Sequence, residues 1–371
     1  MRTSRIKTGL ACVALTSCMA LAACSTAPTT SEGAAPAANE VPQPTETTVE
    51  NAAPQAGPSP QEAESSIDEA AMRDVSLSAV PEGYYGEAEH QGSLESFAYG
   101  TRDYAGSGGS VEREATVYLP YGYNPDDSGT KYDILYLQHG AYGDERTWMY
   151  EYGDRFKNMI DHMIEDGAIP PLIIVMPYLP PGSQWYHDTT PIFYSDEVKN
   201  DLMPAVEAHY RTYAEDVSDA GFESSRSHRA FGGFSAGGTT TWRVFLEGLD
   251  RFEYFLPMSG GLTLGGNGST DDEDASALAA AAIASGHGKR DYYVFAATGT
   301  QDVAYQGLSA QIERMKSLDG AFDFTEAGFA EGNLMYYTVE GNRHDYPYTY
   351  EYVYNGLRCL FSGATTRPVA P

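Results

Sequence analysis

Cysteine is scarce in this chain of 371 residues and poorly placed for cross-linking: Cys12, Cys18 and Cys24 crowd the amino terminus, and Cys359 stands alone near the other end. That distribution excludes a disulfide framework for the main body. Basic side chains are also few, 23 Lys and Arg against 52 Asp and Glu, for a net charge of −29. A surface potential of that sign argues against nucleic acid and anionic lipid faces as partners. It fits solubility in a salty or cell-surface setting and says little about a reaction. Metal-ligand spacing is missing as well, because His187-Asp188 and His344-Asp345 are isolated pairs, and nothing in the sequence calls for a cofactor. The apolar run Gly9–Ala23 is too short to cross a bilayer as a stable helix.

That run is nevertheless the first informative feature. Arg2, Arg5 and Lys7 precede it, the charge-then-apolar layout of an export signal. It closes on Leu21-Ala22-Ala23-Cys24, which resembles the bacterial lipobox. The resemblance implies cleavage after residue 23 and diacylation of Cys24, with ordinary secretion through a nearby cut as the alternative. In either case the mature chain works outside the cytoplasm, lipid-anchored on the extracellular face of the membrane or secreted. Residues 24–80 are rich in Ala, Pro, Glu, Thr and Ser and nearly lack aromatics, so they bury too little apolar surface to offset ordering and read as a flexible stalk. A coil of that length reaches roughly 40 Å. Residues 81–371 then form one domain of about 290 residues, enough to bury roughly three quarters of its unfolded surface without cross-links.

Within that domain the pattern changes twice. Gly92–Thr101 and Arg113–Leu119 alternate β-branched, aromatic and charged residues, which predicts an antiparallel opening of a sheet. Lys131–Gln138, Pro171–Met176, Ala230–Phe234, Tyr254–Met258, Tyr292–Ala297 and Leu334–Val339 are short and apolar on both faces, as strands between helix layers are. Helical patterns occupy Gly153–Glu165, Asp196–Tyr210, Gly237–Leu249, Ala275–Ser285 and Leu308–Leu318. The alternation predicts an α/β fold with a mostly parallel, doubly wound sheet and helices on both faces, its chemistry at the carboxyl ends of the strands. Gly260–Asp274, without periodicity, reads as a surface loop.

Gly233-Phe234-Ser235-Ala236-Gly237 matches G-x-S-x-G between a predicted strand and a predicted helix, the context that turns the motif into a nucleophile elbow. A serine hydroxyl is a weak nucleophile and needs a histidine base oriented by a carboxylate, which follow the serine in this order: serine, acid, histidine. Only His287 and His344 lie beyond Ser235, and His287 sits in a Gly-His-Gly loop entering a strand. His344, past the last strand, is the candidate base. Asp302 follows the Tyr292–Ala297 strand and is the candidate acid; Asp319 and Glu326 lie in the same interval but read as surface carboxylates. The amide of Ala236 faces a developing oxyanion, and its expected partner is the amide of Ala141 in the loop Gln138-His139-Gly140-Ala141. His139 reads as a support of that loop.

Taken together, Leu137-Gln138-His139-Gly140, the run Arg229–Gly238, Thr298-Gly299-Thr300-Gln301-Asp302 and His344-Asp345 resemble the feruloyl esterases of the esterase D group, the α/β-hydrolases found attached to bacterial xylanases. The likeness extends over about residues 83–362 and includes the aromatic stretch after His344. It implies Ser235 as nucleophile, Asp302 as acid, His344 as base and the Ala141 and Ala236 amides as oxyanion hole, hydrolysing hydroxycinnamate esters of plant cell-wall polysaccharide. General or acetyl (xylan) esterase activity is the alternative within the group. A non-catalytic surface lipoprotein that binds glycans is the alternative outside it. S-formylglutathione hydrolysis is disfavoured by the export signal, and mycolyl transfer by the polar and aromatic character of Trp185–Tyr194. Trp148, Trp185 and Tyr186 follow strands whose ends carry the site and are the residues expected to grip a phenolic ring. Oligomeric state has no signature.

Overall fold

The computed structural model describes residues 75–104, 107–178, 193–264 and 270–361. Strands β1 (Ser93–Arg102) and β2 (Ser110–Leu119) pair antiparallel along their whole length, with Ser93 opposite Leu119. Strands β3 (Asp133–Gln138), β4 (Leu172–Pro177), β5 (Arg229–Phe234), β6 (Tyr254–Met258), β7 (Tyr293–Gly299) and β8 (Leu334–Val339) complete one sheet in the order β1-β2-β4-β3-β5-β6-β7-β8. Only the β1–β2 and β2–β4 contacts are antiparallel; the rest run parallel. After β4 the chain crosses back over β3 and then builds outward through β8, so the order reverses between β3 and β5. A crevice opens at the carboxyl ends of strands at such a reversal.

Both faces of the sheet are covered because the central strands are apolar on both. Ile134 and Tyr136 of β3 face one layer, while Leu135 and Leu137 face the other. The first layer contains α3 (Met203–His209), α5 (Ala236–Glu247), α6 (Asp271–Ser285) and α7 (Tyr305–Lys316), contributing Val206, Trp242, Phe245, Leu278 and Ile312. The second contains α1 (Thr147–Tyr150), α2 (Arg155–Glu165) and α8 (Tyr346–Leu360), contributing Trp148, Phe156, Ile160, Val353 and Leu357. Each such large apolar side chain contributes about 1.5–3 kcal/mol on burial. A short helix, α4 (Asp219–Ser224), leads toward β5.

One ion pair anchors the start of β5. Arg229, 1% exposed, makes two hydrogen bonds to Glu207, at 2.7 and 2.8 Å, and also donates to the backbone of Phe222 and Arg251 and to Ser225 Oγ. Glu207 accepts in addition from Tyr136 Oη and Thr212 Oγ1, each at 3.0 Å. Two buried charges with this many partners satisfy the condition under which an interior ion pair is tolerated.

Several elements depart from the sequence pattern. The single helix expected over Asp196–Tyr210 is a π-helix over Phe193–Leu202 followed by α3. Pro204 has no amide to carry a hydrogen-bond ladder across that junction, and it stands at the start of α3, where none is needed. Helix α6 begins at Asp271 because Thr270 and Glu273 form a capping box. The segment Gly260–Asp274 is not simply a surface loop: Gly260 is buried, its carbonyl accepts from the indole of Trp242 at 2.9 Å, Leu262 is 3% exposed, and Asp274 Oδ1 accepts from the Leu264 amide. Residues 75–80, at the end of the expected stalk, lie against α8, where Ser78 exchanges hydrogen bonds with the Asn355 side chain at 3.1 and 2.8 Å. Among the described residues no helix is long and apolar enough to cross a membrane.

Candidate active site

Ser235 sits between β5 and α5 with φ 58° and ψ −113°, a backbone conformation that L side chains avoid. Its amide donates to Met258 O at 2.9 Å and its carbonyl accepts from Thr239 N, so the strained residue is held from both sides. The turn is tight enough that a Cβ on Gly237 would lie 2.4 Å from the carbonyl oxygen of Gln138. That contact explains the second glycine of the motif: β3, β5 and α5 converge there with no room for a side chain.

The loops after β7 and β8 bring the other two groups in. Thr300 N donates to Val339 O, Gln301 N to Asn342 O, and Gly341 N to Thr300 Oγ1, each at 3.0 Å. This lacing sets the distance between Asp302 and His344. His344 Nδ1 lies 2.8 Å from Asp302 Oδ1, and His344 Nε2 lies 2.9 Å from Ser235 Oγ. The Asp302 side chain is fully buried, whereas the imidazole is 27% exposed. Asp302 Oδ1 also accepts from Ala304 N at 2.7 Å, and Oδ2 has no hydrogen-bond partner among the described residues. The two competing carboxylates, Asp319 and Glu326, are exposed. The ring of Phe234 lies 4.7 Å from that of His344 and backs it.

The loop after β3 passes directly over the serine: a Cβ on Gly140 would lie 3.2 Å from Ser235 Cβ and from Phe234. His139 is buried, its pKa is lowered by desolvation, and its Nδ1 lies 2.7 Å from Gly140 O. A neutral imidazole donating to that carbonyl holds the loop. Gly140 N is already committed, donating to Tyr346 Oη at 2.6 Å; Ala141 is the next residue of that loop. Ala236 N opens α5, where backbone N–H groups have no intrahelical acceptor. Tyr346 is the residue that sequence reasoning passed over. It links the loop after β3 to the segment that follows His344 and packs edge-on against Phe234 at 4.9 Å. Its only signal was its place in the aromatic stretch after His344.

Trp148 is not positioned to grip a substrate. It is 1% exposed and packs against Phe156 and Tyr346, each at 5.1 Å, because α1 turns that face of the loop into the core. Trp185, Tyr186 and Cys24 lie outside the described residues. Among the described residues, Tyr142, beside Ala141, is instead fully exposed and held at φ 63°. Among the described residues no group of three or more His, Cys, Asp or Glu side chains could hold a metal ion.

A hydroxyl, an imidazole and a buried carboxylate in one hydrogen-bonded row, at the strand ends of an α/β-hydrolase sheet, define the class of serine carboxylic ester hydrolases. The chain belongs to the "Putative esterase" family, whose model matches residues 110–348. It is 39% identical to endo-1,4-beta-xylanase Y of Acetivibrio thermocellus over 258 residues, 70% of this chain and 22% of that protein. It is 26% identical to an endo-1,4-beta-xylanase/feruloyl esterase of Xylanibacter ruminicola over 240 residues, 62% of this chain and 27% of the other. The chain thus spans about a quarter of the length of these two relatives. Among solved structures it is similar to the feruloyl esterase module of Clostridium thermocellum, a serine-to-alanine mutant complexed with sinapinate. That likeness has 35% identity and a TM-score of 0.68, and covers 78% of this chain and 95% of that one.

Proposed function

We propose that this protein hydrolyses hydroxycinnamate esters of plant cell-wall polysaccharide through an acyl-enzyme on Ser235. The row Asp302–His344–Ser235 carries the reading. As Ser235 Oγ bonds to the ester carbonyl carbon, its proton passes to His344 Nε2, and Asp302 stabilises the resulting imidazolium through Nδ1. The carbonyl oxygen becomes an oxyanion facing the Ala141 and Ala236 amides. Collapse breaks the bond to the sugar oxygen, which leaves as an alcohol with the proton from Nε2. Water then attacks the acyl-enzyme, giving up a proton to His344, and Ser235 departs with that proton as the free carboxylic acid forms.

The substrate class is supported by the relatives, two of which are named for feruloyl esterase activity and one of which holds sinapinate. Trp185 and Tyr186 are assigned to the phenolic ring. The amino-terminal features support a diacylglyceryl anchor on Cys24 that keeps the domain at the outer membrane surface, and Cys24→Ser should release it with activity unchanged. Hydrolysis of methyl ferulate beside 4-nitrophenyl acetate tests the activity. Turnover of ferulate supports the reading; turnover of the acetate alone makes the protein a general or acetyl esterase, and inertness toward both makes it a glycan-binding lipoprotein.

A further inference from the structure

The edge of the sheet opposite Ser235 carries an open cleft of about 370 Å³, within the ~300–1,000 Å³ of small-molecule sites. Strand β2 runs antiparallel to β4, so its last residue, Leu119, lies at the amino ends of the parallel strands. The cleft is therefore separated from the catalytic serine by the length of a central strand, about 20 Å. Its walls combine aromatic rings with polar groups: Tyr121, Tyr123 and Tyr210 with Glu95 and Gln91.

The placement of Tyr121 is the notable observation. Pro120-Tyr121-Gly122-Tyr123 is a β-turn closed by Tyr123 N donating to Pro120 O at 3.0 Å, with Gly122 at φ 79°, the type II geometry that requires glycine at its third position. The turn presents Tyr121 at its corner, 59% exposed, and the His90 ring supports it at 4.6 Å. Opposite it, Tyr123 and Tyr210 pack edge-on at 6.2 Å, and the Tyr210 hydroxyl donates to Glu95, which fixes one carboxylate oxygen at the cleft. A large ring held out in water by a dedicated turn does not serve the core.

We infer that this cleft is a second binding site for a neutral polyhydroxylated chain, the sugar backbone of the polysaccharide whose esters the catalytic edge hydrolyses. The inference rests on that functional reading for the identity of the glycan. The exposed ring of Tyr121 takes the C–H face of a pyranose ring, and Glu95 accepts from hydroxyls while Gln91 accepts and donates. The carboxylate and the acidic surface around it turn away polyanions. A chain long enough to bridge both edges would be held near Ser235 between cleavages, raising its effective concentration.

The test uses the full chain carrying Ser235→Ala, titrated with ferulate-free xylohexaose and soluble xylan by calorimetry and affinity electrophoresis. Binding should be measurable and should weaken about tenfold when Tyr121→Ala is added. In the active enzyme, Tyr121→Ala should leave methyl ferulate turnover unchanged and raise KM several-fold on feruloylated xylan. Absence of binding, or binding indifferent to Tyr121→Ala, overturns the inference. Failure of wild-type enzyme on methyl ferulate is a separate result: it overturns the esterase reading, while Tyr121-dependent retention by xylan would still support the cleft.

Discussion

Strand β5 begins and ends in charged or polar chemistry, and its two ends are built in opposite ways. At Arg229 the guanidinium and the Glu207 carboxylate are both buried and bonded on every side. At Ser235 the backbone is strained, the imidazole is partly exposed, and Asp302 Oδ2 lacks a partner among the described residues. The first end holds the strand in place. The second sets its hydroxyl and imidazole in one partly exposed hydrogen-bonded row, within reach of a molecule that is not protein. Strain at one end is sustained because the other end and the two apolar layers over-determine where the strand lies.

The catalytic end should break most completely. Ser235→Ala and His344→Ala should each lower kcat by about 10⁴- to 10⁶-fold, and the double variant should be scarcely worse, because the groups act as a unit. Asp302→Asn should cost about 10⁴-fold by favouring the wrong imidazole tautomer. Steady-state kinetics on methyl ferulate checks all four variants, and additive losses would show that the row does not act together.

At the other end the loss should appear in stability. Arg229→Met leaves Glu207 buried without its cation and should cost about 3–5 kcal/mol in urea unfolding, with kcat of the folded fraction retained. The double replacement Arg229→Met, Glu207→Leu should cost less than the single one. If the single variant unfolds at the wild-type midpoint, the pair is not the anchor its geometry describes.

Also at the catalytic end is Tyr346, which packs on Phe234 and whose hydroxyl is the acceptor for Gly140 N. Tyr346→Phe should leave that buried amide unpaired, costing about 1–3 kcal/mol, divided between stability and a lower kcat as the oxyanion loop loosens. An unchanged KM with a reduced kcat would place the effect on the amide of Ala141 and not on substrate binding.

The smallest effect concerns pH. Burial pushes Glu197 up to about 7, although Arg113 and Tyr99 pull the other way. Its folded value lies above the ordinary carboxylate value of 4.5, so the stabilisation it gives is fully present below that pH and is lost as pH rises through about 7. Wild type should therefore lose thermal stability between pH 5 and pH 8, roughly the interval over which such a group ionises, and Glu197→Gln should flatten part of that decline. Melting temperatures of both proteins at the two pH values are the check.

How much of this was legible depended on range. The central strands could be read because a strand buried on both faces must be short and apolar, and Tyr254–Met258 and Leu334–Val339 have the same bounds in the structure. The capping box that starts α6 was equally local, in Thr270 and Glu273, although the apolar pattern by itself placed the start at Ala275. Trp148 was misread because an aromatic after a loop looks the same whether the next turn faces solvent or core; α1 decides, and it turns inward. The switch from π-helix to α3 is invisible to an apolar pattern that both helices share.

From the sequence alone followed the sheet class, the elbow around Ser235 and a serine, acid, histidine order, since each rests on residue type, short spacing and chain order. What only the tertiary structure decided are the contacts between distant segments. The Tyr346 hydroxyl reaches Gly140 across 206 residues, His344 reaches Ser235 across 109, and Tyr210 comes to face Glu95 across 115. No local pattern encodes such pairings: the first two exist only once the loops after β3, β5 and β8 are fixed by the strands they leave, and the third only once β1 meets the end of α3.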